Sequence, residues 1–117
     1  MRYALLAYSN VDTHEQTTEE ERRRIDAGIA EVLARPNVTG WLRLQHVGSA
    51  TTVRHEQGRT LLTDGPFVDS KDFLGGFIIV EAETLDGALA VAGELQELST
   101  GGAIEVRPVL EEPLIGA

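Results

Sequence analysis

Two segments of this chain are apolar on both sides of what reads as a β-strand, and this restricts the fold most. Along Arg2-Tyr-Ala-Leu-Leu-Ala-Tyr8, the residues Tyr3, Leu5 and Ala7 project one way and Ala4, Leu6 and Tyr8 the other. Phe77-Ile-Ile-Val80 is apolar in the same two-sided manner. A strand in an antiparallel sheet with one face in water alternates apolar and polar residues, and these two do not. Both faces of the sheet therefore need a cover.

The rest of the chain supplies cover for one face. Thr17-Thr-Glu-Glu-Glu21 reads as a helix start, with Thr18 and Glu21 in a capping-box spacing and three acidic residues at the positive end of the helix dipole. Ile25, Ile29, Val32 and Leu33 follow at helical spacing, and Pro36 places the end near Ala34. A second helix is capped by Thr84, and its expected apolar stripe is Leu85, Ala88, Leu89, Ala92 and Leu95. Between the helices, Trp41 to Val47 alternates as a strand, with Leu42, Leu44 and His46 on one side. Thr51–Arg54 and Arg59–Thr63 form a hairpin around Gly58, and Gly76–Glu81 is a further strand. Ala103–Leu110 is the last strand, at a sheet edge because Pro108 cannot donate to a ladder.

The order is β-α-β-(hairpin)-β-α-β, an α+β chain with the ferredoxin-like βαββαβ pattern, an antiparallel sheet and a β-hairpin insertion, read as a single domain over residues 1–117. Both helices of this topology cover one sheet face. The other is left for a twin subunit packing sheet to sheet, or for the hairpin or C-terminal tail of the same chain. Burial at about 25 cal/mol per Å² favours the homodimer.

Ten basic and 19 acidic side chains give a net charge of −9, which argues against nucleic acid and against an anionic membrane surface. No apolar run approaches membrane-spanning length, and the N-terminal stretch is too short for a signal-peptide core, so a soluble cytoplasmic protein is expected. The chain has no cysteine, which removes disulfides, thiolate catalysis and Cys-ligated metals. None of His14, His46 and His55 forms a metal-binding pair, and no phosphate loop or nucleophile elbow is present, so no metal and no cofactor is expected.

Thr63-Asp-Gly-Pro-Phe67 is the most distinctive local feature. A turn Asp usually accepts a hydrogen bond from the amide two residues on, but here that residue is Pro66. The Asp64 carboxylate must turn to the Phe67 amide, to Lys71, Arg54 or Arg107, or to a ligand. Phe67 reads as a core plug, and Gly75-Gly76 as a place where backbones approach closely. Glu105 and Arg107 share one strand face and either pair within the space between sheets or form a charged solvent edge; an Arg fork can hold a carboxylate ligand. His46, on the Leu42/Leu44 face, is the one histidine expected to be buried, as a core residue or a general base. Arg22-Arg-Arg24 is expected to pair with Glu19–Glu21 and Asp26.

Ala50-Thr-Thr-Val-Arg54, Thr63-Asp-Gly-Pro-Phe67, Lys71 with Leu74-Gly-Gly76, and Ile104-Glu-Val-Arg-Pro-Val109 together resemble the YCII-related family, in particular its DGPF-motif branch. The resemblance implies a dimeric α+β barrel with a cleft near Asp64, Lys71 and Arg107. Relatives in the wider superfamily use a His in the first helix and an Asp in an Asp-Pro sequence near the end of the second. This chain has neither, so their lactone- or haloaromatic-type chemistry is not carried over. Two functions follow as expectations. In the first, a small anionic or carbonyl-containing molecule binds, and is transformed if Asp64 serves as acid or base, with Arg54, Lys71, Arg107, Glu105 and His46 as ligand-binding residues. In the second, the protein is a non-enzymatic accessory to a regulatory pathway, sigma-factor-linked in the branch it resembles, and acts through a protein partner.

Overall fold

The computed structural model describes residues 1–10, 17–99 and 101–112. The strands are β1 (Arg2–Asn10), β2 (Val38–Arg43), β3 (Thr51–Glu56), β4 (Arg59–Asp64), β5 (Asp72–Glu81) and β6 (Ala103–Pro108), and the helices are α1 (Glu19–Leu33) and α2 (Leu85–Leu98). Four strands form an antiparallel sheet in the order β2-β5-β1-β6, which is the ferredoxin-like arrangement. The hairpin β3-β4 is a separate two-stranded sheet inserted between β2 and β5.

Local chemistry accounts for the helix ends. Thr18 Oγ1 accepts the Glu21 amide at 3.1 Å and Thr84 Oγ1 the Gly87 amide at 3.4 Å, each satisfying a donor the helix cannot. Ala34 is the C-cap of α1. Arg35 of the α1 end is ion-paired to Glu94 of α2, joining the helices at the surface.

Tyr3, Leu5, Val32, Val80, Ala88, Val91, Ala92 and Leu95 make the core, which lies between the helices and one sheet face. The α2 stripe is rotated from the expected one. Val91 is buried while Leu85 and Leu89 stay about half exposed, because the short side chains of Ala88 and Ala92 define the line along which the helix meets the sheet.

The register assigns the opposite face. Ala4 pairs with Ile79 and Arg107, and Leu6 with Phe77 and Glu105, so Ala4, Leu6, Phe77, Ile79, Glu105 and Arg107 point away from the helices. None of them is buried. The two-sided apolar character of β1 and β5 is therefore real, and the chain does not cover its second face with the hairpin, whose own apolar side chains Val53 and Leu62 are bare.

Three further expectations are corrected. β2 covers Val38–Arg43 and not Trp41–Val47, because His46 turns the chain into a 3-10 turn at Val47–Ser49. His46 is exposed, since β2 ends at Arg43 and His46 stands beyond the sheet, capping the 3-10 turn. Phe67 is no core plug; it is 74% exposed, with the Arg54 guanidinium 6.0 Å above its ring. His14 and the C-terminal tail beyond Glu112 lie outside the described residues.

Candidate functional site

The helix face of the sheet is filled unevenly, and the sequence of β1 and β5 explains why. One cross-strand row brings Trp41, Ile78, Leu5 and Val106 under the helices. The next row holds Arg43, Gly76, Ala7 and Ile104. Its centre is two of the smallest residues, so the helices find nothing there to pack on and stand off. A cleft of about 490 Å³ results, with Ile25 and Ile29 of α1 on one wall and Ala7 and Gly76 in its floor.

Gly76 is required where it is. A Cβ there would lie 2.4 Å from the carbonyl oxygen of Leu42 on the neighbouring strand, so the strands pair only if the residue is glycine. The register shifts beside it, Ala7 facing Gly76 while Tyr8 faces Leu74, which leaves Gly75 as a bulge at the end of the cleft. The close approach expected of the Gly75-Gly76 pair is thus found at Gly76.

Polar groups gather at one side of the cleft. Arg43 of β2 reaches Asp26 of α1, Nη2 to Oδ1, at 3.0 Å. Arg22 stands one helical turn before Asp26 and also borders the cleft. It makes no ion pair among the described residues, whereas Arg23 binds Glu19 at 2.9 Å. Asp26 is therefore drawn to β2, and not to the arginine run in its own helix as its sequence position suggests. Two guanidiniums against one carboxylate leave a local surplus of positive charge in a chain whose net charge is −9.

Of the ligand-binding and catalytic candidates read from the sequence (Asp64, Arg54, Lys71, Arg107, Glu105 and His46), only His46 borders this cleft. Its Nδ1 accepts the Gly48 amide at 2.9 Å, and its ring lies 6.3 Å from that of Phe73. That nitrogen's lone pair is already engaged in capping the turn. The others lie elsewhere. Arg54 is ion-paired to Glu56 on β3. Asp64 ends β4 opposite Thr51, exposed, and its carboxylate has no hydrogen-bond or ion-pair partner among the described residues. The turn after it is closed by backbone and hydroxyl instead: the Gly65 amide donates to Ala50 O at 2.7 Å, and Thr52 Oγ1 donates to Gly65 O at 2.8 Å. Lys71 is exposed just ahead of β5. Arg107 is held by Glu105 on the open sheet face, with Nε and Nη2 at 3.1 and 3.0 Å from Oε1.

Arg22, Asp26 and Arg43 were not legible as a site in the sequence. The available signal was the small pair Ala7 and Gly76 on strands otherwise built of large apolar residues. Among the described residues, no cluster of three or more His, Asp or Glu side chains could hold a metal ion, and no helix is long and apolar enough to cross a membrane.

Residues 1–113 match the family model of the YCII-related domain. The chain belongs to the YCII-related family. An uncharacterized protein from Rhizobium meliloti (strain 1021) is 33% identical to this YCII-related chain over 114 residues, covering 93% of it and 92% of the relative. Among solved structures, it is similar to the divalent cation tolerance protein Cut A1 from Thermus thermophilus, at 16% identity and a TM-score of 0.39, over 97% of this chain and 88% of that one.

Proposed function

We propose that this YCII-related protein, of the DGPF-motif branch, binds a small anionic molecule with an apolar body in the helix-face cleft, and does so as a homodimer. The observation that carries the reading is Arg22 and Arg43 flanking Asp26 beside a cleft walled by isoleucines. A carboxylate entering the cleft competes with Asp26 for the Arg43 fork and gains Arg22 as a second donor. Its apolar part replaces water over Ala7, Gly76, Ile25 and Ile29, at about 25 cal/mol per Å² buried. With no cysteine in the chain and His46, the one bordering histidine among the described residues, engaged through Nδ1, the site is suited to holding a ligand and orienting it. The uncovered apolar sheet face supports the homodimer.

A thermal-shift series of short aliphatic and phenolic carboxylates tests the site. A binder at 100 times its Kd stabilises by about 2.7 kcal/mol, which moves the midpoint by on the order of 10 °C. The expected result is a shift that Arg43→Ala together with Arg22→Ala abolishes and that Asp64→Asn with Arg107→Ala leaves intact. The reverse pattern moves the site to the Asp-Gly-Pro turn, with Arg54, Lys71, Arg107 and Glu105 around Asp64. If no carboxylate or carbonyl compound shifts the midpoint, the binding reading fails and the accessory role through a protein partner takes its place.

A further inference from the structure

The cleft has a second end, and its chemistry differs from that of the first. The cross-strand row Arg43, Gly76, Ala7 and Ile104 runs from β2 to β6. Neighbouring strands lie about 4.8 Å apart, so the row measures roughly 14 Å. Arg43 marks one end, where its guanidinium meets Asp26 and Arg22 stands alongside. The other end lies where the last turn of α2 meets the chain entering β6, and Gln96 borders the cleft there.

Gln96 is held in one orientation. Its Nε2 donates to Gly101 O at 3.3 Å and to Gly102 O at 3.2 Å, so both amide hydrogens are spent on the turn before β6. That turn is itself fixed, because Gly102 sits at a φ of 75° so close to β1 that an added Cβ would fall 2.0 Å from Tyr8 O. The oxygen of the amide is left over. Gln96 Oε1 accepts no hydrogen bond among the described residues, and the side chain is half-buried. A ligand that covers this acceptor without offering it a donor takes away its water and gives nothing back. The matching donor is a neutral one. Among the described residues Asp26 is the one acidic side chain lining the cleft, and it stands at the Arg43 end, so an ammonium beside Gln96 would be enclosed without a carboxylate.

We infer that the cleft selects an acid of fixed length: a carboxylate on Arg43 and Arg22, an apolar body over Ala7 and Gly76, and a neutral O–H or N–H donor at the far end that binds Gln96 Oε1. This rests on the anion-binding reading above and adds the ligand's length and its second functional group; it draws on neither the open sheet face nor the homodimer. A hydrogen bond of about 2.9 Å at each end leaves ~8 Å of the row for the ligand. An extended chain advances about 3.6 Å for every three bonds, so this is about seven bonds, the separation of the carboxylate and hydroxyl oxygens in 6-hydroxyhexanoate. A much shorter acid reaches one end only, and a longer one must buckle against Ile25 and Ile29.

The probes are hexanoate and 6-hydroxyhexanoate, titrated into the whole chain by heteronuclear NMR. The expected result is a Kd roughly three- to tenfold lower for the hydroxy acid, which is the scale of one neutral hydrogen bond. In Gln96→Leu the two acids are expected to bind equally. Matched pairs of four and eight carbons, titrated into the unmodified chain, keep the test independent of how well Gln96→Leu folds: the gain from the hydroxyl is expected to peak at six carbons and to vanish at four. A hydroxyl that brings no gain at six carbons, a gain equal at every length, or a gain that survives Gln96→Leu overturns this inference alone, provided that hexanoate binds and that Arg22→Ala/Arg43→Ala abolishes its binding. If neither acid binds, or if Arg22→Ala/Arg43→Ala binds both as well as the unmodified chain does, the anion-binding reading fails and this inference with it.

Discussion

The pairs Leu5–Ile78 and Val53–Leu62 are built alike: two aliphatic side chains facing each other across antiparallel strands. Leu5 is fully buried, and Leu62 is 71% exposed. The strand geometry is not what separates them. Leu5 lies under α1 and α2, whereas among the described residues the hairpin has neither helix nor second sheet over it. Alternation along a strand decides where a side chain points, and a third layer decides whether that direction is a core. Among the described residues the sheet has its layer on one face and the hairpin has none, so the same residue type is core in one region and left in water in the other.

The contrast is broken most directly by truncation. Leu5→Ala leaves a cavity in a packed core and is expected to cost about 2–5 kcal/mol, seen as a lower urea midpoint with an unchanged slope. Leu62→Ala is expected to stay within about 0.5 kcal/mol for the isolated subunit, since it removes atoms already in water. Equal losses for the two variants would place the hairpin in the subunit core and end the distinction.

Two glycines sharpen it next, because they share a backbone conformation and differ only in surroundings. Gly102, between α2 and β6, has a φ of 75°, and a Cβ on it would fall 2.0 Å from Tyr8 O. Gly58, in the hairpin turn, has a φ of 76° with nothing within 4 Å of the added atom. Both alanine substitutions incur the left-handed strain of roughly 1–2 kcal/mol. Gly102→Ala also forces apart the β1–β6 join, and on the order of 1–3 kcal/mol more is expected from that overpacking. Chemical denaturation of the two variants measures the difference, and a difference near zero would mean that the β6 edge yields as freely as the hairpin tip.

The same division explains what could be read from the sequence. The βαββαβ order, both N-caps, the end of α1, the hairpin turn at Gly58 and the edge position of β6 follow from periodicity and from the chemistry of Thr, Gly and Pro. Each is decided by residues close in sequence, and each was legible. The burial of His46 and Phe67 was not, because both rest on which surface another element covers. Leu42 looks like a core residue until the register sets it against Phe77, on the open side of β5. Asp26 shows the same limit from the polar side: three arginines precede it in the helix, and its partner is a fourth, 17 residues on in β2. Asp64 reads in the sequence as a carboxylate deprived of its usual turn partner, and among the described residues it does lack one, but no spacing rule places it apart from the cleft.

The smallest effect expected is an ionic one, and it too divides the sheet from the hairpin. Arg2 Nε and Nη2 donate to the two carboxylate oxygens of Glu111 at 3.1 and 2.7 Å, joining β1 to the segment after β6 across 109 positions of sequence. The hairpin's ion pair, Arg54–Glu56, links residues two apart on one strand and so closes no loop. The guanidinium of Arg2, through its hydrogen bond first and its charge after, holds the Glu111 carboxyl below its ordinary value of 4.5. The unfolded chain then binds the proton more readily than the folded one, so this pair adds stability above that ordinary value and loses it as pH falls through the lowered one. Both side chains are about half exposed, so salt screens the contribution and it is small. Glu111→Gln should lower the thermal midpoint slightly at pH 7, with the gap from the unmodified chain closing below about pH 4.5 and narrowing in high salt, while Glu56→Gln should leave the midpoint in place. A gap that persists unchanged at about pH 3, below the ordinary carboxylate range, would mean that the segment is held by the Val109 amide on Arg2 O and not by the charge of Glu111.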